Sequence, residues 1–157
     1  PWAAKLLEAS DVDSGFTIDH VRGSHLIVQA SFRHALVLQA PGERRIIFVI
    51  PLDPEHVLLG TTEQKHDISD PIVCTDAESA YLLEILNQHL SEPLVASDIV
   101  SSFAGVRPIV RPRDTSPGDI SSASRDSEIE ISDRLISVFG GKWTSARHLG
   151  GKVAALV

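Results

Sequence analysis

Residues 35–50 contain two apolar runs separated by a turn signal, and this feature constrains the fold most. The run ALVLQ at 35–39 precedes the pair Pro41 and Gly42, and the run RIIFVI at 45–50 follows it. Proline presets the second position of a type II turn, and glycine supplies the positive φ of the third. The pattern therefore predicts an antiparallel hairpin, and its continuous apolar runs predict a sheet that is covered on more than one side.

The rest of the chain predicts more strands than helices. Thr75 and Glu78 have capping-box spacing, and they open a helix with leucines at 82, 83, 86 and 90. A short helix is expected after Trp2, and a final one after Gly141, which the pair Gly150 and Gly151 should weaken. Strand patterns occur at 16–21, 24–28, 56–60, 98–100, 103–108, 128–131 and 135–139, and an exposed loop is expected at 111–124. The predicted class is α+β, with a largely antiparallel β-sheet packed against helix.

The charge balance excludes one class of partner. The 157 residues include 14 basic and 21 acidic side chains, a net charge of -7. Because nucleic-acid binding needs clustered Lys and Arg, we expect no nucleic-acid partner. The seven histidines show no HxH or HExxH spacing, so we expect no metal site.

A strand, two glycines and a helix meet near the C-terminal end. Gly140 and Gly141 follow the apolar run at 135–139, and Lys142 and Thr144 precede the predicted helix. Glycines allow a ligand close to the backbone, and a helix N-terminus carries free N–H groups and partial positive charge. The motif suits an anion or an electron-rich carbonyl. It equally fits a plain strand-to-helix turn in which Thr144 caps the helix.

Three further side chains are candidates for polar chemistry. Arg107 lies between glycine and proline at the predicted end of a strand, where it could hold a carboxylate or a phosphate, or form a surface ion pair. Arg125 leaves the loop beside Asp126, and a solvated pair of the two is the alternative. His25 could act as a general base near neutral pH or serve as a structural histidine.

Taken in order, the motifs resemble one family. They are PW at 1–2, RGSH at 22–25, FVIPLD at 48–53, LGTTE at 59–63, AGVRP at 104–108, SRD at 124–126 and SVFGGKWT at 137–144. This ordered set closely resembles the FAD-dependent glycerol-3-phosphate dehydrogenases, over residues 1–147. The family commonly has Asp where Glu63 stands, followed soon by an aromatic residue, so any role at that site is open.

The resemblance implies a division of the chain. Residues 1–16 would be a remnant of the FAD-binding domain, 17–104 a substrate cap similar to that of D-amino-acid oxidase-like flavoenzymes, and 105–157 a return segment into the FAD-binding domain. The N-terminal Rossmann half would be absent. We therefore expect a piece of a longer enzyme, inactive by itself, whose exposed cut surface could support a homo-oligomer.

The resemblance also implies residue roles. Arg107, Arg125 and Lys142 match residues that bind the phosphate of glycerol 3-phosphate, and His25, Arg107 and Lys142 match residues at the reacting centre. Gly140, Gly141, Lys142 and Thr144 match the turn against the isoalloxazine of FAD. The implied reaction forms dihydroxyacetone phosphate, with a quinone as the electron acceptor of the whole protein, in the cytoplasm or peripherally on the cytoplasmic membrane.

Two other functions fit the residues. One is an amino-acid or hydroxy-acid oxidase of the same architecture, which would need chiefly one arginine for a carboxylate. The other is an anion-binding module without catalytic activity.

Overall fold

A computed structural model describes residues 2–43, 45–115 and 126–157, and the chain divides into two compact units. Unit 1 comprises Pro1–Val21 and Arg107–Val157, and unit 2 comprises Arg22–Val106. Two long strands, β1 (Phe16–Gln29) and β6 (Ile99–Pro112), each run from one unit into the other. These divisions lie a few residues from the predicted ones, and the assignment of the units to an FAD-binding domain and a cap stays a prediction.

Unit 2 is built on an antiparallel sheet. Its other strands are β2 (Leu36–Gln39), β3 (Ile46–Pro51), β4 (His56–Gly60) and the short β5 (Gln64–Lys65). The pairing order is β2-β3-β4-β1-β5, and β6 also pairs with β1. The predicted hairpin is confirmed, since β2 pairs with β3 antiparallel and Gly42 has φ +74°.

One helix covers one face of this sheet. Helix α2 (Asp76–Asn87) begins at the predicted capping box, and a 3-10 turn (Ala96–Asp98) precedes β6. Side chains alternate between the two faces of the strands, so Ile47 and Val49 are buried while Phe48 and Ile50 are exposed. The buried face and α2 share one apolar core, formed by Leu26, Val28, Leu38, Ala40, Ile47, Val49, Val57, Leu59, Leu82, Leu83, Ile85 and Leu86.

Unit 1 has a smaller core of its own. It contains α1 (Ala3–Ala9), the hairpin of β7 (Ser127–Ser132) and β8 (Leu135–Gly140), and α3 (Ala146–Ala154). The predicted final hairpin is thereby confirmed. Leu7, Ile18 and Phe139 are buried together, and the rings of Phe16 and Phe139 lie 5.7 Å apart. Arg111 pairs with Asp19 at 2.8 Å within this unit.

Two predictions of element boundaries were wrong. The patterns at 16–21 and 24–28 form one strand rather than two. Strand β6 continues past Pro108 to Pro112, because proline removes an N–H donor yet still fits extended backbone. Helix α3 continues through Gly150 and Gly151, the pair that is expected to weaken it. Propensity is a weak prior that tertiary contacts override, and Leu149 of this helix lies against Gly141.

Among the residues that the structure describes, no helix combines the length and apolar character needed to cross a membrane.

Candidate functional site

His25 lies in a row of residues across the unit 2 sheet, on the face opposite α2. It pairs with Gly60 of β4, and Gly60 pairs with Phe48 of β3. Directly opposed residues of antiparallel strands point to the same face, so His25 and Phe48 share a face that α2 does not cover. The imidazole is half-buried and stacks on the ring of Phe103, with centroids 5.0 Å apart and planes 9° apart.

Gly60 leaves the space that the imidazole occupies. A Cβ atom at position 60 would collide with Cδ2 of His25 and would lie 2.9 Å from its Cγ. Real Cβ atoms essentially never approach another heavy atom that closely. Position 60 therefore requires glycine as long as the His25 ring keeps this orientation.

A buried carboxylate joins the strands on the other side of the sheet. Oε1 of Glu78, in α2, accepts hydrogen bonds from Ser24 Oγ at 2.9 Å and Thr62 Oγ1 at 2.8 Å. Oε2 accepts from Thr75 N at 3.0 Å, Thr75 Oγ1 at 2.9 Å and Arg22 NH2 at 2.8 Å. The Ser24 N–H also donates to Thr62 Oγ1, at 2.9 Å. The network ties the segment that carries His25 to the segment that follows Gly60.

The network keeps Glu78 ionised. Burial by itself raises the pKa of Glu78, but hydrogen bonds from Thr75, Thr62 and Ser24 stabilise the charged form and bring the pKa down to about 2. Glu78 therefore remains a carboxylate across the working pH range of any enzyme near neutrality.

Arg107 follows the unit boundary within β6. Its side chain is half-buried, and the next residue but one, Ile109, is buried. The motif of Gly105, Arg107 and Pro108 lies in the middle of a continuous strand rather than at its end. Arg125 falls outside the described residues.

The two glycines after β8 form a turn that requires glycine. Gly140 has φ +67° and Gly141 has φ +99°, in the left-handed region that other residues rarely adopt. A Cβ at Gly140 would lie 2.8 Å from the carbonyl oxygen of Asp126 and 2.9 Å from Cγ2 of Val110. The turn is thus held tightly against its own unit.

Lys142 and Thr144 are both exposed beyond this turn, and Trp143 between them is 95% exposed. The alternative in which Thr144 caps the helix does not hold. Residues Trp143–Ser145 form a 3-10 turn, and Ser145 is the residue that immediately precedes α3. The Ser145 hydroxyl accepts from the N–H of Lys142 at 3.3 Å and donates to its carbonyl at 3.1 Å.

This arrangement fits the edge of a flat, electron-rich ring system. Two residues without side chains lie beside an exposed lysine and the first turn of a helix, where positive charge and N–H groups collect. A flavin ring gathers negative charge when it is reduced, so a positive backbone terminus is suitable chemistry for it.

The predicted site residues are distributed over both units. Gly140, Gly141, Lys142 and Thr144 lie in unit 1 with Arg107, and His25 lies in unit 2. No sequence signal predicted that Phe103 contacts His25 or that Glu78 binds the neighbouring Ser24, although the capping box correctly identified Glu78 as the third residue of α2. Side chains alternate between the two faces of a strand, so the period-2 pattern could have predicted that Ser24, next to His25, is buried.

Comparison with known proteins decides the family. The model of the family described as FAD dependent oxidoreductase matches residues 1–156. The chain belongs to the FAD-dependent oxidoreductases. Two predictions, that it resembles such flavoenzymes and has their α+β fold, are thereby confirmed.

Individual relatives of this FAD-dependent oxidoreductase have narrower names. A glycerol-3-phosphate dehydrogenase of Pseudomonas aeruginosa is 36% identical, and the match covers 95% of this chain and 30% of the relative. A D-erythritol 1-phosphate dehydrogenase of Brucella abortus is 30% identical, with the same two coverages. The solved glycerol-3-phosphate dehydrogenase of Bacillus halodurans, complexed with FAD, has a TM-score of 0.79 at 30% identity, over 99% of this chain and 30% of that one.

The chain therefore spans about 30% of the length of these relatives.

Proposed function

We propose that the whole protein oxidises sn-glycerol 3-phosphate to dihydroxyacetone phosphate with FAD as the oxidant. The observation that carries the proposal is the match along nearly the whole chain to relatives named glycerol-3-phosphate dehydrogenase, at 30–36% identity. The similar structure complexed with FAD supports the choice of cofactor. His25, Arg107, Arg125 and Lys142 are the side chains that this chemistry needs.

His25 receives the proton in this proposal. The substrate loses the proton of its 2-hydroxyl group and a hydride from C2, so a C=O bond forms at C2. When bound, FAD supplies the acceptor for the hydride. A neutral imidazole is suited to take the hydroxyl proton near pH 7, and the stacked ring of Phe103 limits how far the imidazole of His25 can turn.

The cationic side chains bind the phosphate. A phosphate dianion calls for more than one positive partner, and Arg107, Arg125 and Lys142 are the three that the motifs supply. Arg107 and Lys142 act close to the reacting carbon as well, where a positive charge favours loss of the hydroxyl proton. The exposure of Lys142 leaves its ammonium available to a ligand.

The turn after β8 holds the flavin. Gly140 and Gly141 allow the ring to approach the backbone, and Lys142 and Thr144 follow on the same turn with the N-terminus of α3. The remaining FAD contacts would come from parts of the protein outside this chain, so the 157-residue chain by itself is inactive.

The electron acceptor, the location and the self-association are also part of the proposal. A quinone accepts the electrons, and the protein works in the cytoplasm or peripherally on the cytoplasmic membrane. Copies of the 157-residue chain by itself associate through the apolar cut surface that is exposed where the rest of the enzyme is absent. The support is the family resemblance and, for association, the exposed Val37, Phe48 and Ile50 on the sheet face opposite α2.

The test is anaerobic flavin bleaching in the full-length protein. We expect glycerol 3-phosphate to reduce the bound FAD, whereas glycerol and D-amino acids do not. Arg125→Ala should lose this reduction at low substrate concentration, because a phosphate contact is removed. Arg113→Ala is the matched control, since Arg113 is exposed and its side chain pairs with Asp13 at the surface. Bleaching by a D-amino acid and not by the ester would contradict the proposal.

A second phosphorylated polyol is a specific alternative. The Brucella abortus relative is named D-erythritol 1-phosphate dehydrogenase and is 30% identical. Reduction of the flavin at a higher kcat/KM by D-erythritol 1-phosphate than by glycerol 3-phosphate would reassign the substrate while retaining the phosphate roles.

A further inference from the structure

We propose that Phe103 and Gly60 are positioning residues that hold the His25 imidazole in its catalytic orientation. We call the three residues the His25 clamp. The inference rests on the proposed function for the role of His25. It adds two residues that act through the histidine rather than on the substrate.

Phe103 contributes a stacking surface. Its ring lies parallel to the imidazole to within 9°, at a centroid distance of 5.0 Å, which is a favourable offset arrangement for aromatic pairs. The ring lies on β6, whereas His25 lies on β1, and the two strands are paired. Rotation of the imidazole about its Cβ–Cγ bond would break the parallel contact with the ring of Phe103.

Gly60 contributes an opening, which is the space that a side chain at position 60 would otherwise fill. Its α-carbon lies so close to the imidazole that an added Cβ would be 2.9 Å from Cγ of His25. Any side chain at position 60 would therefore push the ring out of its position. Gly60 of β4 and His25 of β1 are directly paired, so the pairing of these strands places the opening beside the histidine.

The network behind the sheet fixes the register of the clamp. Ser24 precedes His25, and Thr62 follows Gly60 by two residues. Both hydroxyls donate to the same oxygen of Glu78, at 2.9 Å and 2.8 Å. The backbone positions that carry the imidazole and the opening are thus joined on the side away from the ring.

The packing of Phe103 is poorly explained by stability alone. Phe103 is 48% exposed, and it does not belong to the apolar core of unit 2. A half-exposed aromatic ring contributes less burial than a core residue, yet this one is aligned with a histidine. A general base must be held in a narrow range of geometry, and a misplacement of about 1 Å can lower a rate on the order of 100-fold.

The first test compares kcat with KM in the full-length protein. Phe103→Leu keeps an apolar side chain but removes the stacking ring. We expect kcat for glycerol 3-phosphate to fall by about 10- to 100-fold while KM changes by less than about twofold. Phe103→Tyr keeps the ring and should restore kcat to within about threefold of the unmodified protein. Val100→Ala, an exposed apolar residue of the same strand, is the control that should retain activity.

A kcat for Phe103→Leu within twofold of the unmodified protein would overturn the proposal. An equal loss of activity in Phe103→Leu and Phe103→Tyr would overturn it too.

The second test is independent of activity. In a carbon-proton correlation spectrum of the 157-residue chain, ring protons of His25 should be shifted upfield by the ring current of Phe103. The His25 signals are assigned by their loss in His25→Asn. We expect the shift to disappear in Phe103→Leu and to persist in Phe103→Tyr and Val100→Ala. Unchanged His25 signals in Phe103→Leu would contradict the clamp.

The two tests separate the two proposals. Failure of glycerol 3-phosphate to reduce the flavin of the unmodified protein would overturn the proposed function, and the ring shift would then decide whether the clamp exists. Normal reduction without a ring shift would overturn the clamp and leave the proposed function standing.

Discussion

Arg22 donates a hydrogen bond from NH2 to Oε2 of Glu78 at 2.8 Å, and both side chains are largely buried. A buried ion pair stabilises a protein only when further hydrogen bonds offset the loss of solvation. Ser24, Thr62 and Thr75 supply those bonds to the carboxylate. The folded state therefore favours the ionised form of Glu78.

The first prediction concerns stability against pH. The pKa of Glu78 falls from 4.5 to about 2 on folding, so its contribution is fully present above the unfolded value and is lost as the pH falls through the folded one. We expect Glu78→Gln to destabilise the chain by about 3 kcal/mol at pH 6, and by about 2 kcal/mol less at pH 3. Urea unfolding followed by circular dichroism at both pH values measures the difference.

Glu84→Gln is the matched control for Glu78→Gln, because Glu84 is exposed on the same helix. It should change the free energy of unfolding by less than about 0.5 kcal/mol at either pH. A destabilisation by Glu78→Gln that is the same at pH 6 and pH 3 would show that the charge of Glu78 is not what stabilises the fold.

The second prediction concerns the turn at Gly140. Gly140→Ala places a Cβ on a residue with φ +67° and within 2.8 Å of a backbone oxygen. The left-handed conformation alone costs about 1–2 kcal/mol for alanine, and the collision adds to it. We expect a loss of at least about 2 kcal/mol in the free energy of unfolding. Retention of full stability would mean that the turn adopts another conformation.

The third prediction has the opposite sign. Gly150 lies inside α3, and a Cβ there would meet no atom within 4 Å. Since alanine is favoured over glycine in a helix interior, Gly150→Ala should stabilise the chain by roughly 0.5–1 kcal/mol. The denaturant midpoint should rise with an unchanged slope. A lower midpoint would indicate that the helix ends before residue 150.

The fourth prediction concerns the proton acceptor. In the full-length protein, His25→Asn should lower the rate of flavin reduction by about 10²- to 10⁴-fold, the range for loss of a general base. The flavin content should stay the same, because the proposal gives His25 no contact with FAD. Rapid-mixing absorbance at the flavin band measures the rate. His89→Asn, at an exposed position just beyond α2, should leave the rate unchanged.

Local sequence signals were sufficient for several elements. The turn of Pro41 and Gly42, the capping box of Thr75 and Glu78, and the final hairpin all depend on residues a few positions apart. Such signals act through short-range backbone preferences, so they can be read without knowing the fold. The resemblance of ordered motifs then identified the family, which physical patterns alone left open.

Contacts between distant segments could not be read in this way. The partners of Glu78 include Ser24, 54 residues earlier in the chain. Neither position carries a local sequence signal that predicts this hydrogen bond. Phe103 likewise meets His25 only because β6 pairs with β1. The continuation of β6 past Pro108 has the same origin, since pairing outweighs the local signal of a proline.

The division of the chain into two units also determines the order in which the two cores can form during translation. Leu7 and Ile18 of unit 1 pack on Phe139, which leaves the ribosome about 120 residues after Ile18. All of unit 2, Arg22–Val106, is made in between. At a synthesis rate of about 5–20 residues per second, the N-terminal segment of the nascent chain lacks its apolar partner for several seconds. Unit 2 can therefore fold during translation, whereas the core of unit 1 closes only when the last hairpin emerges.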